Sequence, residues 1–320
     1  MPCLDIAPWK SWLSASACIH SLIAHFGVEQ EPLDVAGLSG FAFRNAVWDN
    51  VLPGAINSTI HWVDVFQSAF DKLGFSIEAT IAHKGQLGYE SYKQQSWDRI
   101  KESIDSGNPC IIWESYEFAL VKGYDDNKLL INGVVGDSSI SREQFCEGDF
   151  PSLFVLIVDD RFDFSEIDAF KMSCRNAVTI GFVDNPPYIS HLHPVLGVSA
   201  YKKWIDELGG DFNAFGNAYH TQYLLEARKY ASLYLAKLAA RFSGVPQNLL
   251  LRSSERFAQS HNKLMQFSEY FPYSPASGSR VSYNAESIEH GKKLLEDCHV
   301  MEIEGFSLIA TAVEHFDATC

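Results

Sequence analysis

The sequence predicts an α+β protein, with a small antiparallel sheet and its helices in the first half and a mainly α-helical second half. Hydrophobic periodicity changes often between Ser14 and about Asp159 and hardly at all beyond it. Short apolar runs bounded by Gly, Asn and Asp fall in the first half, as strands and turns require. In the second half Ala231, Leu235, Leu238 and Phe242 recur at helical spacing and lay one apolar stripe along a helix. The expected domains are therefore residues 1–162 and 163–320.

The elements follow in order. The stretch SASACIHSLIAHF, Ser14 to Phe26, reads as a helix with Ser14 or Ser16 as its cap and Gly27 as its stop. It places Cys18, Ser21, Leu22 and His25 on one face. A second helix is expected from His61 to Leu73, ended by Gly74, and a half-buried strand from Ser76 to Ala82, where Ile77, Ala79 and Ile81 alternate with polar neighbours. Tyr92 to Ser106 reads as helix, broken by Gly107 and Asn108. Strands follow at Cys110–Trp113, Phe118–Val121 and Leu129–Ile131, the last two joined by the turn residues Tyr124 to Asn127 as an antiparallel hairpin. Ser141 and Gln144 carry the capping-box pattern of one helical turn. Leu153 to Val158 is the closing strand, so the sheet ends near 160. Helices are expected at 165–181, 194–208, 213–242, 246–268 and 284–298.

Composition excludes several classes. The chain has 320 residues, 47% of them hydrophobic, with 25 Lys+Arg against 40 Asp+Glu and a formal net charge of −15. That apolar content excludes whole-chain disorder. With no cluster of Lys and Arg, a nucleic-acid partner is not expected. The longest apolar runs, such as Phe154 to Val158, are strand-sized, so no membrane span is expected. The first residues, with Asp5, Pro2 and Pro8, do not resemble a secretory signal, and the expected location is cytoplasmic. Seven cysteines (3, 18, 110, 146, 174, 298 and 320) contain no CxxC pair and suit neither a disulfide framework nor a zinc ribbon. At least some must be free thiols.

Cys18 is the first candidate for chemistry, because a thiol near the start of a helix gains from the N-terminal field. The plain alternative is a small buried hydrophobe. His191 and His193, with His220 or the Cys298-His299 pair, have the residue types of a metal site. Without helical register and followed by Pro194, they read instead as a polar loop leading into a helix, and neither a metal nor a cofactor is expected. GLSGFAF, residues 37–43, lacks the strand-to-helix context and basic residue of a phosphate loop and reads as a tight turn packing aromatics. Trp113, Tyr116, Phe118 and Tyr124 are expected in the core, with a cleft lining as the alternative.

Two longer strings carry a resemblance. ACIHSLIAHFGVEQEPLDVAGLSGFAFR, Ala17 to Arg44, is a cysteine-bearing helix ending in Gly, then an acidic stretch and GLSGFAF. SIDSGNPCIIWESYEFALVKGYDDNKLLING, Ser103 to Gly133, is a helix, a Gly-x-Pro step, a strand and a further strand ending in Gly-Tyr-Asp. Their order and spacing resemble the N-terminal domain of the butirosin biosynthesis protein H family, itself similar to papain-like peptidases of the bacteriocin-leader-processing type. The resemblance covers about residues 10 to 160, and the region 165–315 resembles the helical domain that follows in that family.

This resemblance implies a papain-like N-terminal domain and cysteine-dependent chemistry: acyl transfer from a carrier protein to an aminoglycoside, or amide hydrolysis. It makes Cys18 the nucleophile and Asn132 the group that orients the base. Glu117 stands where the family places its catalytic His, and Trp12 where a Gln often supplies the oxyanion donor. A carboxylate beside Cys18 discourages thiolate formation. His20 points away from the Cys18 face, His25 lies about 10 Å along the helix, and His61, His191 and His193 could approach only through tertiary structure. The expected function is a cysteine-dependent acyltransferase or amide hydrolase acting on a small-molecule or peptide substrate, with an acyl carrier protein as a candidate partner. The alternative is a catalytically inactive homologue that binds a small molecule, peptide or carrier protein in the same cleft, as a homodimer formed through the helical domain.

Overall fold

The structure, a computed structural model, describes residues 2–6, 10–114, 116–125, 127–133, 136–148, 152–183, 194–274 and 283–316. In chain order come α1 (Ser14–His25), α2 (Pro32–Ser39), a 3-10 turn at Phe41–Phe43, β1 (Ala46–Val47), α3 (Ala55–Ser58), α4 (Trp62–Asp71), β2 (Phe75–His83) and α5 (Tyr89–Asp105). The strands β3 (Cys110–Glu114), β4 (Glu117–Asp125), β5 (Lys128–Gly133), β6 (Gly136–Ser141) and β7 (Ser152–Arg161) follow. The chain continues through α6 (Glu166–Phe182), β8 (Val195–Leu196), α7 (Ala200–Glu207), α8 (Ala214–Ala239), α9 (Val245–Tyr270) and α10 (Ala285–His315). This is a mixed α/β chain with an antiparallel sheet plus helices.

Two compact units emerge. One joins Met1–Val35 to His61–Phe164, and the other joins Ala36–Ile60 to Ser165–Cys320. The expected cut at 162/163 is linear, whereas residues 36–60 group with the C-terminal helices. The reason is tertiary: Arg228 of α8 donates to the carbonyls of Ala42 and Arg44 at 3.0 Å each, and the Nε2 of His220 meets Asn45 Oδ1 at 3.0 Å.

In the first unit the sheet order is β2-β7-β3-β4-β5-β6, and every neighbouring pair is antiparallel. Side chains alternate across a strand, so Cys110, Ile112, Ala119, Val121, Leu129 and Ile131 share one core with Trp97, Ile100 and Ile104 of α5. On the other face Trp113, Phe118 and Phe154 cluster with Trp62 and Phe66 of α4, with ring centroids 4.7–5.8 Å apart. Trp113 and Phe118 are therefore core. The helix α1 packs against β4.

Three expectations for this unit are corrected. Leu13, not Ser14 or Ser16, is the N-cap of α1, and no side chain caps it, because the Ser14 hydroxyl bonds Glu117 and the amide of Phe118 instead. Ser141 and Gln144 exchange the two capping-box hydrogen bonds, at 3.2 and 3.3 Å, but hold a turn rather than a helix. The sheet, expected to consist of the other strands alone, also carries the edge strand β6 paired with β5.

In the second unit α8 packs on α9, and α9 and α6 pack on α10. The expected helix at 194–208 is instead the bridge strand β8, paired with β1, then a 3-10 turn and α7. The expected helix at 284–298 continues to His315, since Phe306, Ile309 and Ala312 extend its buried stripe. In the 37–43 segment Gly40 takes a left-handed φ of 83° that an L side chain adopts at a cost, and the turn it begins buries Phe41 and Phe43. Among the described residues, no helix is long and apolar enough to cross a membrane.

Candidate functional site

Residues 14, 17, 18 and 21 of α1 lie on one helical stripe, which faces Phe118 and Leu120 of β4 and Asn132 of β5 across a cavity of about 10 Å³. That volume holds roughly one water molecule. Cys18 and Asn132, the nucleophile and orienter implied by the resemblance, both line it, with 6% and 9% of their surfaces exposed.

Glu117 opens β4 beside the cavity. The Ser14 Oγ donates to its Oε2 and accepts from the backbone N–H of Phe118 at 3.2 Å, so one hydroxyl fixes both the carboxylate and the start of the strand. Burial, and then the charge of Glu117, push the Cys18 thiol far above the ordinary thiol range. The fifth residue of α1, Cys18 lies past the first turn, where the N-terminal field has faded. Burial likewise pushes Cys110, Cys146 and Cys174 up to about 12. Nothing sets Cys18 apart from them as an activated thiol.

Asn132 pairs across the sheet with Leu120 on one side and Asp137 of β6 on the other. Its Nδ2 donates to Asp137 Oδ1 at 2.7 Å, and Asp137 Oδ2 receives Lys122 Nζ at 2.8 Å. Lys122 first and Asn132 second hold the Asp137 carboxyl below its usual range. Sequence reasoning missed Asp137, because the polar run GDSSIS of β6 gives no strand periodicity, and with it the partner that Lys122 of β4 meets.

The substitute bases are engaged elsewhere. His20 Nε2 meets the Gln30 carbonyl at 3.0 Å, and burial pushes its pKa down. His25 Nε2 meets the Gly107 carbonyl at 2.7 Å, and His61 Nδ1 pairs with Asp64 at 3.0 Å at the start of α4. Among the described residues, no histidine lines the cavity. His191 and His193 lie outside the described residues.

Among the described residues, no three His, Cys, Asp or Glu side chains form a cluster able to hold a metal. Cys298 donates to the Ser260 carbonyl at 3.7 Å. Burial, aided by Arg228, pushes His220 down to about 3, so it is neutral at ordinary pH. Cys3, Cys18, Cys110, Cys146, Cys174 and Cys298 are free thiols. Comparison with protein-family models and with curated proteins finds no match to this chain.

Proposed function

We propose that the Cys18–Asn132 cavity is a binding site on a papain-like scaffold of the kind the butirosin H resemblance implies, and that it recognises a ligand without forming a covalent acyl intermediate. The observation that supports this reading is electrostatic. A nucleophilic cysteine needs an adjacent base, a nearby positive charge or a helix N-terminus to hold its thiolate. Cys18 is buried, stands beyond the first helical turn and faces the carboxylate of Glu117. Burial and the carboxylate favour the neutral thiol, and the place beyond the first turn offers the thiolate no compensating field. A small molecule, a peptide segment or a carrier-protein arm is the candidate ligand, and the cavity as it stands admits only a terminal group of it.

The second reading is cysteine-dependent acyl transfer or amide hydrolysis with Cys18 as nucleophile, Asn132 as orienter and Glu117 in place of the His. It is favoured by the convergence of Cys18 and Asn132 on one cavity, with Glu117 bonded to Ser14 of its lining.

Iodoacetamide labelling, read by peptide mass spectrometry from about pH 7 to about pH 9, separates the two. The expected result is that the exposed Cys3 labels first, and that Cys18 labels at least about tenfold more slowly than an unfolded thiol without a rise centred near the ordinary thiol pKa of about 8.5. Selective labelling of Cys18 with an apparent pKa well below that value, abolished in Cys18→Ser, would overturn the binding reading in favour of the catalytic one.

A further inference from the structure

We infer that the outer edge of β2 is a self-association surface, on which a second copy of this chain adds its own β2 antiparallel across a two-fold axis through Ala79. The two sheets then become one. This goes beyond the reading of the Cys18 cavity and does not depend on it.

The two ends of the sheet differ. β6 closes one end as a short polar strand with Asp137, Ser138, Ser139 and Ser141, a composition that discourages pairing. At the other end β2 runs nine residues, FSIEATIAH, with no proline or lysine inside it. The bulge where it meets β7 falls on β7, since Ser76 pairs with Asp160 and Ile77 with Val158. β2 itself is therefore regular. Among the described residues, its backbone groups from Phe75 to Ala82 that turn away from β7 meet no hydrogen-bond partner. The row is closed at His83, whose N–H donates to Gln86 Oε1 at 3.0 Å and whose carbonyl accepts from the Gln86 N–H at 3.1 Å. Such a row of open donors and acceptors is a template for another strand.

The strand's own sequence selects the occupant. Phe75 meets the rings of Phe26 and Phe70, with centroids 5.8 and 6.3 Å away, and alternation puts Ile77, Ala79 and Ile81 on that same face. Glu78 pairs with Arg99 of α5, and Ala82 packs with Trp97 and Ile100 of α5, so Ser76, Glu78, Thr80 and Ala82 share the opposite face. A two-fold axis perpendicular to the sheet keeps like faces together and sets one residue opposite itself. With Ala79 there, Ile77 faces Ile81 of the copy, Glu78 faces Thr80, and Ser76 faces Ala82, each pair occurring twice. Branched apolar side chains meet each other, and the carboxylate meets a hydroxyl.

The neighbouring registers lose this complementarity. An axis through Glu78 places two carboxylates directly opposite, which destabilises a pair of strands. An axis through Thr80 sets Ile77 against His83 and Ile81 against Ala79. Charge also favours the first register: Glu78 arrives in each copy with Arg99 beside it, so the joined face carries alternating charge with no net excess from these groups. Ile81, 39% exposed in the single chain, gains an apolar neighbour.

The test uses the full-length protein. Sedimentation equilibrium from about 1 to about 200 µM is expected to show a monomer–dimer equilibrium with a micromolar dissociation constant. Thr80→Glu sets a second carboxylate against Glu78 at both symmetric positions, and Thr80→Lys sets a cation there. The Glu variant is expected to dissociate at least about fivefold more readily than the Lys variant. Circular dichroism checks that both are folded.

Disulfide trapping reads the register, in a Cys3→Ser, Cys320→Ser background that leaves only buried native thiols. Opposed Cα atoms in an antiparallel pair lie about 4.5–5.5 Å apart, within disulfide reach. Ala79→Cys, a small change at the axis, is expected to form a covalent dimer on mild oxidation. Ile77→Cys is expected not to, because its own copy lies about four residues, or roughly 13 Å, along the strand. Adding Ile81→Cys to it restores the cross-link.

A protein that stays monomeric throughout would overturn the inference, as would a dimer that Ala79→Cys does not trap, since its interface lies elsewhere. Equal dissociation of the two Thr80 variants, or trapping through Ile77→Cys alone, would overturn the register.

Discussion

Replacing Glu302 by leucine is expected to cost about 3–5 kcal/mol of stability, the penalty for stranding a buried charge. Glu302 of α10 is completely buried, and so is Arg228 of α8. The pair is bidentate, Arg228 Nε to Oε1 at 2.6 Å and Nη2 to Oε2 at 2.7 Å. Tyr201 of α7 and Ser260 of α9 also donate to Oε1, at 2.6 and 2.8 Å. Four helices thus meet on one carboxylate. The remaining donors of Arg228 reach the Ala42 and Arg44 carbonyls, so the same guanidinium holds the 41–44 turn to the helices.

Removing the carboxylate leaves Arg228 charged with no counter-ion and leaves two hydroxyls without their acceptor. Arg228→Met is expected to cost a similar amount, by stranding Glu302 and taking the donors from two carbonyls. The double variant should lose less than the sum of the singles, with a coupling of up to about 3 kcal/mol. It should not return to wild type, because the Ala42 and Arg44 carbonyls stay unpaired at about 1–3 kcal/mol each. Urea unfolding followed by far-ultraviolet circular dichroism measures all three. A Glu302→Leu protein within about 1 kcal/mol of wild type would show that this network does not hold the unit together.

The contrast between this network and the elements around it explains what the sequence discloses. The helix α1 is legible because its apolar and small residues repeat at helical spacing and Gly27 stops it. The strands β3 and β7 are legible as short apolar runs between turn residues. The edge strand β6 is not, since Ile140 is its one buried side chain and the remaining residues alternate nothing. Nor is the membership of residues 36–60, which depends on Arg228 and His220 meeting partners more than 170 positions away in sequence.

The candidate site divides in the same way. A cysteine on a helix is visible in the sequence, and the resemblance attached roles to Asn132 and Glu117. The environment that sets the chemistry of Cys18 is visible only in three dimensions. Burial, the Ser14 link to Glu117 and the Asp137 contact to Asn132 each join residues from different elements. Capping statistics even mislead locally, because Ser14 has the right identity for an N-cap and spends its hydroxyl on β4.

Gly216→Ala is expected to destabilise the protein by about 1–3 kcal/mol or more, although alanine is the better helix former. A Cβ at Gly216 would lie 2.0 Å from the Val51 carbonyl oxygen and 2.9 Å from the Pro53 nitrogen, and both of these are backbone atoms that no rotamer change can move. The obstacle is a turn held from several sides. Asn50 and Val51 adopt φ of 55° and 51°, a region that a β-branched residue occupies only when its surroundings impose it. Asn213, the N-cap of α8, donates its backbone N–H to Asn50 O at 2.7 Å, and its side chain accepts from the Gly216 N–H at 2.7 Å. Glu207 of α7 accepts from the Asn50 N–H at 2.9 Å. The turn therefore cannot retreat without breaking the bonds that set its conformation, and the first turn of α8 cannot retreat without losing its cap. Gly210→Ala is the control, since its Cβ would meet nothing closer than the Glu207 carbonyl at 3.6 Å, an ordinary contact. Thermal unfolding of the two variants side by side reads the difference: a large drop in Tm for Gly216→Ala and almost none for Gly210→Ala. Equal, small shifts would mean that α8 and the 51–53 backbone do not approach this closely, and the requirement for glycine at 216 would fall with that contact.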